Sequence, residues 1–163
     1  MDRDNHAGKM DAVLAYIAGF FDGEGYIGLG IQKTHGGKDR NILPTVRIVN
    51  TEPTSIEFIA KELRNRGIIL WSKPRARVLK RKDGSPAQVL YEIGIAGKIQ
   101  VKKFIELLMP YCLVKQAQLK VVNEFLDLRD EAMIGRGGRK GKGKAVYSEY
   151  EISLITTLKK LKH

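Results

Sequence analysis

Ile17-Ala-Gly-Phe-Phe-Asp-Gly-Glu-Gly25 is where one hydrophobic period gives way to another, and its reading decides the fold. On its N-terminal side, residues 11–22 read as a short helix that starts at Asp11 and is apolar on most faces, so burial on both sides is expected. On its C-terminal side, Tyr26 to Lys33 alternates, with Ile27, Leu29 and Ile31 on one face, as a strand does. Between them Asp22-Gly-Glu-Gly25 sets two carboxylates at a helix C-terminus, where the macrodipole favours cations. A hard metal ion would supply the missing cation. Alternatively Asp22 caps a turn that Gly23 and Gly25 merely permit. Gly23-Glu-Gly-Tyr-Ile-Gly28 matches G-x-G-x-x-G, but the dinucleotide fingerprint needs a strand before and a helix after, and here the order is reversed.

Working outward, a polar turn over 35–41 leads to a second strand, Pro44 to Asn50, and then to a helix with the stripe Ile56, Ile59, Ala60 and Leu63. The plan then repeats. Ile68 to Leu79 reads as a strand, Asp83-Gly84 as a hairpin turn, and Gln88 to Ile95 as the partner strand. Helices are expected over about 98–109 and 114–131, broken at Pro110. Gly135 to Lys144, with five glycines and five bases in ten residues, reads as a flexible cationic linker before a last helix over 148–162. The fold class is α+β: a small curved antiparallel sheet with helices on one face and the other face open. Residues 1–134 form the core, and 135–163 add the linker and C-terminal helix to the same domain.

The chain has 163 residues, enough for one domain, and 29 Lys and Arg stand against 18 Asp and Glu, a net charge of +11. Such a surplus points to a polyanionic partner. No apolar run approaches the roughly 20 residues of a membrane span. The N-terminus is polar, without a signal-peptide pattern. The single cysteine, Cys112, allows neither an internal disulfide nor a cysteine zinc site and fits a reducing, intracellular setting. His6, His35 and His163 are too scattered for a zinc or histidine-base centre.

Alternation also assigns the open face. Gly28, Gly30, Gln32 and Thr34 point away from the core on the first strand, and Thr45 and Arg47 on the second. Lys73, Arg75 and Arg77 share a face of the third. On the fourth, Val89, Tyr91, Ile93 and Ile95 are expected inside, with Gln88, Leu90 and Glu92 outside. A face of Gln, Thr, Arg and Lys suits a β-ribbon reading base edges in a major groove; its bland reading is a solvated surface. Ala15, Gly19 and Gly23, four apart with Ala18 beside them, leave a helix stripe almost without bulk. That stripe would pack closely either on the chain's own core or on a second copy across a two-fold axis.

Together, residues 17–25 and the αββαββα order over about residues 10–130 resemble the LAGLIDADG homing endonucleases. The motif occurs once, and the resemblance implies a homodimer with paired motif helices, so Ala15, Ala18, Gly19 and Asp22 are expected at the interface. Glu24 falls at the family's metal-binding acid, and the Gly23 carbonyl at its backbone ligand. Lys115, in Pro110-Tyr-Cys-Leu-Val-Lys-Gln-Ala-Gln118, falls on its active-site lysine. Asn50, or Thr51 with the alignment moved by one residue, falls where some members hold a water with glutamine; the register of Val46 and Ile48 favours Asn50. The implied activity is site-specific, metal-dependent cleavage of both strands of a long pseudo-palindromic DNA, with catalytic Glu24, Lys115 and Asn50. The implied cofactor is Mg²⁺ or Mn²⁺, Ca²⁺ binding without supporting cleavage. DNA contacts are expected from Gln32, Thr34, Arg40, Arg47, Lys73, Arg75, Arg77, Gln88, Arg139 and Lys140. The expected partners are double-stranded DNA and a second copy, with no membrane and no small-molecule substrate. The expected location is intracellular, with DNA, in a prokaryotic or archaeal cytoplasm or an organelle, as for an intron-encoded protein. The rival readings are an RNA-binding intron maturase and a non-catalytic DNA-binding protein of the same fold.

Overall fold

In the computed structural model, which describes residues 4–33, 40–71, 75–134 and 146–162, the alternating segments pair into one antiparallel sheet. Its strands are β1 (Gly25–Lys33), β2 (Arg40–Asn50), β3 (Arg75–Lys80) and β4 (Pro86–Ala96), in the order β1-β2-β4-β3. Directly opposed residues share a face. Ile27 faces Val46 and Ile48 faces Ile93, so the core side of the sheet is continuous across its three longest strands. Helices α1 (Asp4–Glu24), α2 (Pro53–Asn65) and α3 (Lys98–Leu108) cover that side, and α4 (Gln116–Ile134) and α5 (Glu149–Lys160) complete the layer. Phe21, Phe104, Phe125 and branched residues of every element except β3 form one core.

Local chemistry sets the boundaries. The expected stripe of α2 is fully buried, and Glu52 caps its start by accepting from the Thr54 N–H at 3.1 Å, with Pro53 in the first turn. The β3–β4 hairpin turns at Asp83-Gly84: Gly84 takes φ +84°, and Asp83 accepts from the Ser85 N–H at 2.9 Å. Ser148 and Glu151 form a reciprocal capping box at α5. Glu151 is itself buried and ion-paired with Arg129, which fastens α5 to α4.

Several expectations need correction. α1 begins at Asp4, so Asp11 lies inside it; an aspartate start signal is a preference, not a stop for the residues before it. The helix is also buried on one side only, because no other element of the described chain covers Ala12, Ala15, Gly19 and Gly23. β2 starts at Arg40 rather than Pro44, since proline lacks only a donor and its carbonyl still accepts from the Gly97 N–H. β3 starts at Arg75 rather than Ile68, although Ile68 is buried. Trp71 lies before that strand and donates its N–H to the Gly94 carbonyl at 3.0 Å. Ile31 is 50% exposed, and the exposed Val89 faces an exposed Val78, because both hairpins run past the helical layer. Tyr91 is only partly buried.

Candidate active site and nucleic-acid interface

The end of α1 and the loop between α3 and α4 are stapled together by reciprocal contacts. The Asp22 carboxylate accepts from the backbone N–H groups of Leu113 (2.7 Å), Val114 (3.0 Å) and Lys115 (2.9 Å). In return the Lys115 ammonium donates to the Asp22 carbonyl and stands 5.7 Å from the Phe21 ring centre. A lysine at these last carbonyls is the cation that the helix macrodipole favours. Burial pushes the Asp22 pKa up, but the three N–H donors and Lys115 outweigh it and hold the carboxyl below its ordinary 3.8. The neighbouring Cys112 thiol is buried and pushed up to about 12 by that burial and by Asp22, so it is a protonated, unreactive core group at neutral pH.

Glu24 closes the same helix and differs from Asp22 in every respect. It is exposed, and among the described residues its carboxylate makes no hydrogen bond or ion pair. Gly23, also exposed, contributes one of the last-turn carbonyls that a helix leaves without an internal partner. The next residue must be glycine, because a Cβ on Gly25 would collide with the ring and carbonyl of Phe21. Gly25 pairs with Ile48, so Asn50, two residues further along β2, lies at the Glu24 end of the ladder. The Asn50 Oδ1 accepts from the Glu52 N–H at 2.9 Å, which leaves its side-chain NH₂ for other partners. Thr51, the alternative position, is exposed beyond the strand.

Chemically the Glu24 end offers hard oxygen donors. No group of three His, Cys, Asp or Glu side chains comes together among the described residues. One free carboxylate with adjacent carbonyls suits a Mg²⁺-type ion that completes its shell with phosphate and water, and does not suit zinc.

The open face of the sheet carries the second constellation. Arg47, Thr45 and Val49 of β2 line a concavity of about 420 Å³ with Tyr26, Gly30, Gln32 and Leu43. In register, Tyr26, Arg47 and Gly94 follow one another across β1, β2 and β4. Aromatic side chains cover two glycines of this face: Tyr26 over Gly28, with the Lys162 ammonium 3.8 Å from its ring centre, and Trp71 over Gly94. A Cβ on either glycine would collide with the ring above it. Glu92, expected to be solvated, is only 6% exposed, with its Oε1 3.9 Å from the Arg47 Nε. Sequence reasoning placed Glu92 on this face but missed its burial, and missed Trp71 altogether. The lone tryptophan of the chain, beside a strand-like run, was the available signal.

Of the other expected contact residues, Gln32 and Gln88 are exposed. Arg75 and Arg77 sit on β3 opposite Glu92 and Leu90, on the open-face register. Arg40 begins β2, opposite Lys33. Thr34, Lys73, Arg139 and Lys140 lie outside the described residues.

The bare side of α1 is a third feature. Ala15, Gly19 and Gly23 are exposed, and a Cβ on either glycine would meet nothing within 4 Å, so the chain's own packing does not require glycine there. Also exposed are Tyr16, next to Ala15 in the chain and in edge contact with Phe58 at 5.6 Å, and Leu113 and Val114, whose N–H groups bind Asp22. One expected member does not belong to this surface, and another is already engaged. Ala18 is 0% exposed, because the helical period turns it to the core, and Asp22 is taken up by the 113–115 backbone.

No protein-family model and no curated protein matches the sequence. The solved structures do match. The homing endonuclease I-CvuI, solved with the I-CreI target DNA, is similar with a TM-score of 0.52 and 23% identity over 95% of this chain and 98% of that one. The archaeal intron-encoded homing endonuclease I-Vdi141I, complexed with DNA, is similar at 0.52 and 19% identity, with 93% and 98% covered. The LAGLIDADG homing endonuclease I-GzeII, also with its DNA target, is similar at 0.56 and 12% identity, over 91% of this chain but only 43% of that longer one. The fold is therefore that of the LAGLIDADG homing endonucleases, the family that residues 17–25 resemble.

Proposed function

We propose that this chain is a site-specific, divalent-metal-dependent DNA endonuclease of the LAGLIDADG homing type, active as a homodimer. The observation that carries the reading is the division of roles at one helix end: Lys115 is held on the Asp22 carbonyl, and Glu24, two residues further along the chain, is exposed and makes no hydrogen bond or ion pair among the described residues. A structural helix terminus needs the lysine but has no use for an exposed, unpartnered acid.

Glu24 and the Gly23 carbonyl would hold the ion, which when bound supplies Lewis acidity and an activated water at the scissile phosphate. Lys115 brings positive charge to the phosphate, where negative charge grows as the bond to the leaving oxygen breaks. The free amide of Asn50 donates to a water at the same end of the ladder. Hydrolysis joins the water oxygen to phosphorus, and the departing sugar oxygen takes up a proton. The open face, with Gln32, Arg47 and Gln88 and the register positions of Arg75 and Arg77, would lie in the major groove. Thr34, Arg40, Lys73, Arg139 and Lys140 would add phosphate and base contacts. The intracellular location and the single-domain reading of 1–134 with 135–163 belong to the same proposal.

Two copies are needed because each chain holds one Glu24 end, and cutting two strands takes two. The bare strip of α1 supplies the surface, since two helices with glycines in contact approach closely. The similar structures support this pairing: I-CvuI is matched along nearly its whole length, and I-GzeII along less than half.

The test is cleavage of a randomised duplex library by the purified protein in Mg²⁺, repeated in Ca²⁺ and with Glu24→Gln. Sequence-specific double-strand breaks are expected in Mg²⁺ alone, and Glu24→Gln should lower the rate at least about 100-fold while binding persists. Binding without cleavage in all samples would make this a non-catalytic DNA-binding protein. Preference for structured RNA over every duplex would make it a maturase-type RNA binder.

A further inference from the structure

The open face contains an arginine that is held rather than loose, and this deepens the proposed DNA recognition, on which it rests. Exposed arginines usually sample many rotamers, at a cost when one of them is fixed. Arg47 is fenced in by two groups that have no evident reason to be on a solvated surface. Glu92 lies buried beneath it with its Oε1 3.9 Å from the Nε, and the Trp71 ring centre lies 5.9 Å from the guanidinium carbon. Trp71 is itself fixed from below: its ring lies over Gly94, where any Cβ would displace it, and its backbone N–H donates to the Gly94 carbonyl. Because Gly94 is directly opposite Arg47 in the ladder, all three side chains share one face.

The division of donors matters. A guanidinium carries one Nε–H and two terminal NH₂ groups in a rigid fork. Glu92 stands at the Nε end, which leaves both terminal nitrogens for an outside partner. The base edge that accepts two parallel donors in a major groove is guanine, through O6 and N7. Position sharpens the assignment further. Arg47 faces Tyr26, two residues from Glu24, whereas Gln32 lies six residues beyond Tyr26 and faces Asn41. At about 3.4 Å per residue those offsets are roughly 7 and 20 Å, and the rise of B-DNA is similar per base pair.

We propose that Arg47 reads a guanine in the inner part of each half-site, nearer the cut than the base pair read by Gln32, and that Glu92 and Trp71 are positioning residues that aim it. Affinity selection from a randomised duplex library in Ca²⁺, with the full chain, tests this. The unmodified protein should enrich one inner G·C pair in each half-site. Arg47→Lys keeps the charge but not the fork, and should cut that preference about tenfold or more while the other positions hold. Glu92→Gln and Trp71→Phe should each reduce it about two- to fivefold at that pair alone. Arg47 is exposed, so its variant decides the reading even where a Glu92 substitution disturbs folding. An unchanged preference in Arg47→Lys overturns the guanine assignment. A uniform loss at all positions in Glu92→Gln and Trp71→Phe, with melting temperatures unchanged, overturns the positioning role. Enrichment of no sequence by the unmodified protein overturns both this inference and the DNA-reading function beneath it.

Discussion

The two sides of α1 are built from the same short run of residues and serve opposite ends. Leu14, Ile17, Ala18 and Phe21 point inward and are buried to 6% exposure or less, with the Phe21 ring in edge contact with Phe104 at 5.1 Å. Ala15, Gly19 and Gly23 point outward into open space. The inward side is explained by the chain itself, because each side chain fills volume that would otherwise be a cavity. The outward side is not, because glycine inside a helix costs about 0.5–1 kcal/mol relative to alanine and nothing in the described chain requires it. A sequence that retains small residues where it has room for large ones is shaped for something outside the chain. The helix end repeats the contrast: Asp22 is consumed by the fold, and Glu24 is left for use.

Substitutions on the two sides should therefore separate cleanly. The largest effect is expected from Gly19→Leu, which should not lower the stability of the monomer yet give monomers by sedimentation and no detectable cleavage. A dimer that still cuts would break the comparison. Phe21→Ala, on the inward side, should lower the unfolding free energy by about 3–5 kcal/mol in urea titrations. Asp22→Asn should come next, at about 1–3 kcal/mol, because one charged acceptor serves three backbone donors. Its pH dependence has a definite sign: the folded-state pKa lies below 3.8, so the stabilisation is present above about pH 4 and is lost as pH falls through the folded value. Thermal melts between pH 3 and 7 should show that acid-side slope reduced in Asp22→Asn. Smallest is Gly19→Ala, which should raise monomer stability by up to about 1 kcal/mol and weaken dimerisation. A loss of monomer stability there would mean that the glycine serves the chain's own packing.

Much of this architecture was legible in the sequence because it rests on local periods. The stripe of α2, the turn at Asp83-Gly84, the inward residues Ile27, Val46, Ile48, Ile93 and Ile95, and the one-sided sheet all follow from side-chain spacing and turn chemistry. What alternation cannot show is how far the helices extend over the sheet, and so Ile31, Val78 and Val89 are exposed despite their pattern. Periodicity near saturation also misleads: α1 is apolar on so many faces that only its neighbours decide which face is covered. The site residues divide in the same way. Glu24, Lys115 and Asn50 could be named from a motif, but that Asp22 binds the loop carrying Lys115 is a contact across more than ninety residues of chain.

The sequence alone determined the order of elements, the excess of positive charge and the acid at the helix end, because each depends on residues close together along the chain. Only the tertiary structure decided which acid is free and which arginine is held. Those outcomes depend on what packs beside them: three N–H groups of the 113–115 loop on Asp22, and a buried Glu92 and an indole beside Arg47. A side chain's chemical use depends on the partners that folding leaves it, and those partners come from distant parts of the chain.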